Sequence, residues 1–218
     1  MNYIDIHTHT WQEDPETTRV LNLFPGEQEK LALPSFFSVG LHPWHVQDDT
    51  WEEMVEQVGS MAGNRNVLAI GEAGLDKIRG TRYDAQKHAF YAQMDLAGKL
   101  KKPLIIHCVR AYDEMLALRK RSDQSVPWIF HWFNADGQTA AELIRKNCYL
   151  SFGHMLFREE SKAFTVFKSV PLEQVYFETD DAGYTIAEVY ARAALIRNLD
   201  PDALKTQIMD NFGRCFQL

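Results

Sequence analysis

Cysteine is scarce in this chain. There are three in 218 residues, Cys108, Cys148 and Cys215, none in C-x-x-C spacing. An odd, scattered set argues against a disulfide framework or a thiolate metal site and fits reduced thiols in a cytoplasmic protein. Long apolar runs are missing too: none approaches the ~20 residues of a membrane span. The opening MNYIDIHTHT has no basic segment leading into an apolar one, so no signal peptide is read. Positive charge is also short, with 23 Lys+Arg against 30 Asp+Glu and a formal net charge of −7. That balance disfavours non-specific binding to a long polyanion, which needs many Lys/Arg–phosphate contacts. It leaves room for a small, metal-neutralised site for one phosphate. No repeat, low-complexity tract or linker interrupts residues 1–218, which read as a single domain.

What is present is alternation. Eight β-rich runs fall at residues 3–7 (YIDIH), 18–24 (TRVLNLF), 36–41 (FFSVGL), 67–72 (VLAIGE), 103–107 (PLIIH), 127–131 (PWIFH), 148–152 (CYLSF) and 174–179 (QVYFET). Helical patterns separate the later ones. Thr50 with Glu53, and Thr185 with Glu188, have capping-box spacing ahead of apolar-periodic segments. Over residues 84–100, Phe90, Met94, Ala97 and Leu100 recur at helical spacing. Strands joined by helices predict a parallel α/β architecture, a barrel or a doubly wound sheet. The first two connections, 8–17 and 25–35, are too short for ordinary crossover helices. The chain is also short for a (β/α)₈ TIM-type barrel, typically ~250 residues. The expectation is a shortened barrel with its first two outer helices reduced or missing.

The polar residues fall where such a barrel would use them. Strand one runs into His7 and His9, strand four into Glu72, strand five into His107, strand six into His131 and strand eight into Asp180. The C-terminal ends of barrel strands build active sites. Singly, each of these has an ordinary structural explanation: a hydrogen-bonded core histidine, or a carboxylate serving as cap or ion-pair partner. Together, four imidazoles and two carboxylates without a cation would carry a heavy desolvation cost. A metal removes that objection.

At these residues the sequence resembles the TatD family of metal-dependent hydrolases, within the amidohydrolase-like barrels. The matching segments are DIHTHT, GLHPW, IGEAGLD, PLIIHC, HWF, VPLEQVYFETD and NFGRCF, an ordered set spanning residues 4–216. The resemblance implies a two-metal phosphodiesterase, a 3′→5′ deoxyribonuclease acting on DNA ends or short oligonucleotides. It implies that His7, His9 and Asp180 hold one divalent ion, and that His107 and His131 hold the second with Glu72 bridging. Two cations can activate water and brace an in-line displacement at phosphorus. Imidazole-rich ligands suit zinc or manganese, whereas magnesium prefers oxygens, so the ion stays open between Zn, Mn and Mg. Asp180 is ligand, proton acceptor or both, which gives Asp180 and Glu72 the catalytic roles. Asp5 and Glu178 either orient histidines or belong to a polar layer.

Three residues are candidates for substrate contact: Arg110, His42 and His154. Arg110 follows His107 by three positions, where the family commonly has an arginine at two; it suits bidentate phosphate binding. His42, in GLHPW, contacts substrate or builds the turn, and His154 follows strand seven. The family's Ser-Gly after the strand-six histidine is Asn134-Ala135 here, and its proline near the strand-eight aspartate is replaced by DDAG. Trp11, Trp44, Trp132 and Phe133 stack bases or pack under loops. The basic runs GKLKKP, LRKRS and IRK come late in helices, where they complement helix dipoles. The expected partner is a transient oligonucleotide, with no membrane and a monomeric chain. An amidohydrolase acting on a small C–N or ester substrate is the alternative. Many such barrels bridge their metals with a carbamylated lysine, and Glu72 stands in that place.

Overall fold

The computed structural model describes residues 2–79 and 82–217. The β-branched and aromatic runs become strands where the pattern put them: β1 (Tyr3–Thr8), β2 (Thr17–Leu23), β3 (Phe36–Val39), β4 (Val67–Asp76), β5 (Leu104–Val109), β6 (Trp128–Phe130), β7 (Cys148–Phe152) and β8 (Val175–Phe177). They occur in one eight-stranded sheet in the order of the sequence, with the parallel pairing of a (β/α)₈ barrel. Thr8 bridges Asp180 in parallel, returning β8 to β1. Leu104, Ile105 and Ile106 of β5 are all fully buried, as expected of a parallel strand covered on both faces.

Among the described residues seven α-helices accompany the strands: α1 (Trp51–Met61), α2 (Tyr83–Leu100), α3 (Tyr112–Arg119), α4 (Gly137–Arg145), α5 (Lys162–Phe167), α6 (Ile186–Arg197) and α7 (Pro201–Phe216). Among the described residues no helix links β1 to β2, and only a 3₁₀ turn, Gln28–Ala32, lies between β2 and β3. The two reduced connections read from the sequence are therefore present. No described helix is long and apolar enough to cross a membrane.

By contact density the chain divides into two units, residues 1–21 with 131–218, and residues 22–130. In the first, Tyr190 of α6 both donates to the Ile4 carbonyl and accepts from its amide (3.1 Å each), tying helix to strand. The Thr185–Glu188 capping box forms as read. In the second, Thr50 makes no side-chain cap bond, so that capping pattern goes unused at α1. The basic runs of this unit do more than complement dipoles. Arg119 is 1% exposed, and its guanidinium donates to the carbonyls of Val126 (2.9 Å), Asp123 (3.2 Å) and Gln124 (3.3 Å), holding the turn into β6. Lys102 donates to the carbonyls of Ala62 and Val67, each at 2.6 Å, and burial lowers its pKa.

Candidate metal centre

In the 22–130 unit the site grows out of IGEAGLD. Gly71 has φ +130°, and a Cβ there would meet the Ile105 carbonyl oxygen at 2.3 Å; one on Gly74 would meet the His107 oxygen at 1.8 Å. The two glycines thus let β4 run against β5, with a register shift between Ile70 and Ala73. β4 does not end at Glu72, as the sequence pattern suggested, but continues four residues to Asp76. Residues 72, 74 and 76 share strand parity, so both carboxylates turn towards His107. Glu72 Oε1 lies 2.8 Å from His107 Nδ1 and 3.1 Å from His42 Nε2, and the two imidazoles are 3.2 Å apart. Asp76 Oδ2 lies 3.3 Å from His107 Nε2 and accepts the Trp44 indole N–H at 2.7 Å.

Each member of this cluster is held from behind. The Glu72 amide donates to Asn22 Oδ1 (2.6 Å), which also accepts from Ser38 (2.9 Å). His42 Nδ1 accepts the Trp44 amide (3.1 Å). Burial works to raise the Asp76 pKa. The hydrogen bonds from Trp44, the Arg79 and Ile78 amides and His107 outweigh it and keep the carboxylate below its ordinary value. His107 is therefore an imidazole between two carboxylates, the arrangement that fixes a metal-ligating histidine.

The other unit builds its cluster on β1 and the segment after β8. The Asp180 amide donates to the His7 carbonyl (3.0 Å) at φ +51°, and its carboxylate reaches back: Oδ1 is 3.3 Å from His9 Nε2 and 3.6 Å from His7 Nε2. His131, one residue past β6, brings its ring centroid to 4.5 Å from that of His7. Behind it Glu178 Oε1 lies 3.9 Å from His131 Nδ1 and accepts the Trp132 amide. Burial, opposed by His131 and reinforced by Asp180, pushes the Glu178 carboxyl up to about 7. Asp5 accepts from the Thr179 hydroxyl (2.7 Å) and amide (3.0 Å), bonds that only partly offset its burial, and its pKa rises to about 6.

Both donor sets suit a divalent ion. His7, His131 and Asp180 offer three ligand atoms within 4.8 Å of one another, and so do His42, Glu72 and His107. Ligand atoms around a tetrahedrally held zinc lie roughly 3.3–3.6 Å apart, given Zn–N and Zn–O bonds of ~2.0–2.2 Å. The 3.3 and 3.6 Å separations at Asp180 match that spacing. The 2.8–3.2 Å separations around Glu72 are hydrogen-bond lengths. Mixed imidazole and carboxylate donors fit zinc or manganese better than magnesium.

Asp76 closes the IGEAGLD segment but does not stand out in the sequence; the β4 alternation extended by four residues reaches it. His42, read from sequence as a substrate contact or turn builder, lies in the cluster with Glu72 and His107. Arg110 is exposed, one residue beyond β5 at φ +54°, and makes no hydrogen bond or ion pair among the described residues. His154 packs edge-on against Trp132, ring centroids 4.8 Å apart; burial and Arg158 lower its pKa against a smaller opposing pull from Asp180.

A parallel eight-stranded barrel carrying two such imidazole–carboxylate clusters is of the metal-dependent hydrolase class. The family model described as TatD related DNase matches residues 14–217, and the chain belongs to that family. A Bacillus subtilis relative named uncharacterized metal-dependent hydrolase YabD is 32% identical over 148 residues, 66% of this chain and 58% of that protein. The 3'-5' ssDNA/RNA exonuclease TatD of Cronobacter sakazakii is 31% identical over 148 residues, 66% of this chain and 56% of its own. Both alignments thus span less than two thirds of the relative's length. The crystal structure of the Escherichia coli TatD homologue YJJV superposes with a TM-score of 0.85 at 22% identity, covering 99% of this chain and 98% of that one, and shows the shared fold.

Proposed function

We propose that the protein is a metal-dependent phosphodiesterase, a 3′→5′ deoxyribonuclease acting on DNA ends or short oligonucleotides, with one divalent ion in each cluster. The observation that carries this reading is the two buried donor sets, His7–His131–Asp180 and His42–Glu72–His107. His9, 3.3 Å from Asp180, joins the first set. Glu72, which the family resemblance makes a metal ligand, belongs to the second set. Bound divalent ions supply Lewis acidity towards phosphoryl oxygens and make water acidic enough to attack near neutral pH.

The chain's own groups do the rest. Asp76 accepts from His107 Nε2 at 3.3 Å and holds that ring at one angle, and Glu178 puts a carboxylate 3.9 Å behind His131. Asp180 is the carboxylate placed to accept a proton from the attacking water. Named exonucleases among the relatives, such as the Cronobacter sakazakii enzyme, support the choice of a nucleic-acid end as substrate. The net charge of −7 favours short or single-stranded substrates over tight duplex binding.

The test is metal-stripped protein given 3′- or 5′-end-labelled single-stranded oligonucleotides with magnesium, manganese or zinc restored, beside Glu72→Ala. Stepwise shortening from the 3′ end that needs both metal and Glu72 is the expected result. Intact oligonucleotides despite two bound ions would overturn the phosphodiesterase reading and move the search to ester and amide substrates.

A further inference from the structure

Trp44 is 47% exposed, yet it is not loose. Its amide donates to His42, its indole N–H donates to Asp76 at 2.7 Å, and its ring meets those of His42 and His107 edge-on at 4.7 and 5.7 Å. On this indole lies Arg79, its guanidinium carbon 3.8 Å from the ring centroid. The Arg79 amide donates to the other oxygen of the same carboxylate, Asp76 Oδ1, at 3.0 Å. One aspartate thus fixes the tryptophan, the backbone of the arginine and, 3.3 Å away, His107.

Stacking engages only the flat face of a guanidinium. Its N–H donors lie in the plane and stay open to an incoming acceptor. The neighbouring cations of this unit are already engaged: Lys77 pairs with Glu114 at 2.6 Å, and Arg82 with Asp48 at 3.3 Å. Arg79 pairs with no carboxylate among the described residues. Trp44, expected from sequence to stack bases or pack under loops, carries an arginine on one face.

We infer that Arg79, laid flat on Trp44, is the clamp for the anionic oxygens of a substrate phosphate beside the His42–Glu72–His107 cluster. This rests on reading that cluster as a site for phosphate esters. It gives the task expected of Arg110 to a different residue, one already oriented before substrate arrives. A planar fork held in place loses little entropy on taking phosphate through two parallel N–H···O bonds.

The experiment measures equilibrium binding of inorganic phosphate to zinc-loaded protein at 0.15 M salt, with zinc content determined in parallel. Arg79→Ala weakens phosphate binding about tenfold, the worth of a charge-assisted hydrogen bond, without changing zinc content. Arg79→Lys recovers only part of the loss, because an ammonium lacks the fork. Trp44→Phe, which keeps a ring but not the N–H to Asp76, weakens binding by roughly two- to threefold. Unchanged phosphate affinity in Arg79→Ala, no phosphate binding by the wild type at millimolar concentrations, or the whole loss appearing in Arg110→Ala would overturn the inference. Phosphate binding is read without turnover. Arg79-dependent binding by a wild type that leaves every oligonucleotide intact would sink the nuclease reading and leave the clamp standing.

Discussion

The two donor clusters use the same side-chain types and differ in how tightly those side chains are already held. Around Glu72 the contacts are 2.8–3.2 Å, and His42 and His107 each have a partner behind the ring, the Trp44 amide and Asp76. Around Asp180 the imidazole nitrogens stand at 3.3 and 3.6 Å, and the carboxylate behind His131 is at 3.9 Å. An ion entering the first unit would find Asp180 and two imidazoles already near its own spacing. One entering the second must part hydrogen bonds between Glu72 and two histidines, each worth ~0.5–1.5 kcal/mol net. Preorganisation in a protein is not one quantity: a site can be rigid in the wrong spacing or open in the right one.

The largest effects are expected where a ligand is removed. Glu72→Ala should lower oligonucleotide hydrolysis by at least ~10³-fold and release at least one ion while the far-ultraviolet circular dichroism stays native. Full activity with one ion bound would break the two-ion account. Next come the carboxylates behind the rings. Asp76→Asn and Glu178→Gln should each weaken metal binding by ~10–100-fold. The loss should fall on different ions, which competition with a chromophoric zinc chelator can resolve. If both variants weaken the same ion, the clusters do not bind independently.

Smaller effects belong to residues that support the fold and leave the clusters alone. Arg119→Ala strips a buried donor from three carbonyls and should cost about 3 kcal/mol in urea unfolding, with zinc stoichiometry unchanged. Thr185→Ala breaks the α6 capping box and should cost about 1 kcal/mol, again without loss of metal. A variant that is destabilised yet keeps its zinc separates stability from metal binding in each unit.

Much of this was legible in the residues. The strand runs and the two short connections predicted the barrel and its missing helices, because alternation and segment length are local properties. His7, His9, His107 and His131 are legible only as a set with Glu72 and Asp180, because each alone has an ordinary structural explanation while all six at strand ends call for a cation. What the pattern hid depends on tertiary contact. Asp76 escaped because β4 runs past Glu72, a continuation made possible by the close approach of Gly71 and Gly74 to β5. The GLHPW segment marks a turn around His42, but the sequence does not show that the Trp44 amide takes Nδ1 and leaves the other ring nitrogen towards Glu72. Thr50 has capping-box spacing, yet its backbone, at φ −130° and ψ −6°, comes with no side-chain cap bond. The basic runs read as complements to helix dipoles, whereas Arg119 donates to loop carbonyls, and nothing in its neighbours in sequence says so.

The central claim is that each cluster holds its own ion, the more tightly at Asp180. Titrating metal-free protein with zinc tests it most directly, following stoichiometry and affinity in the wild type and in Asp180→Ala. The account predicts two ions per wild-type chain in two affinity steps, and one ion in the variant with the tighter step gone. A single ion in the wild type, or loss of only the weaker step in Asp180→Ala, would contradict it.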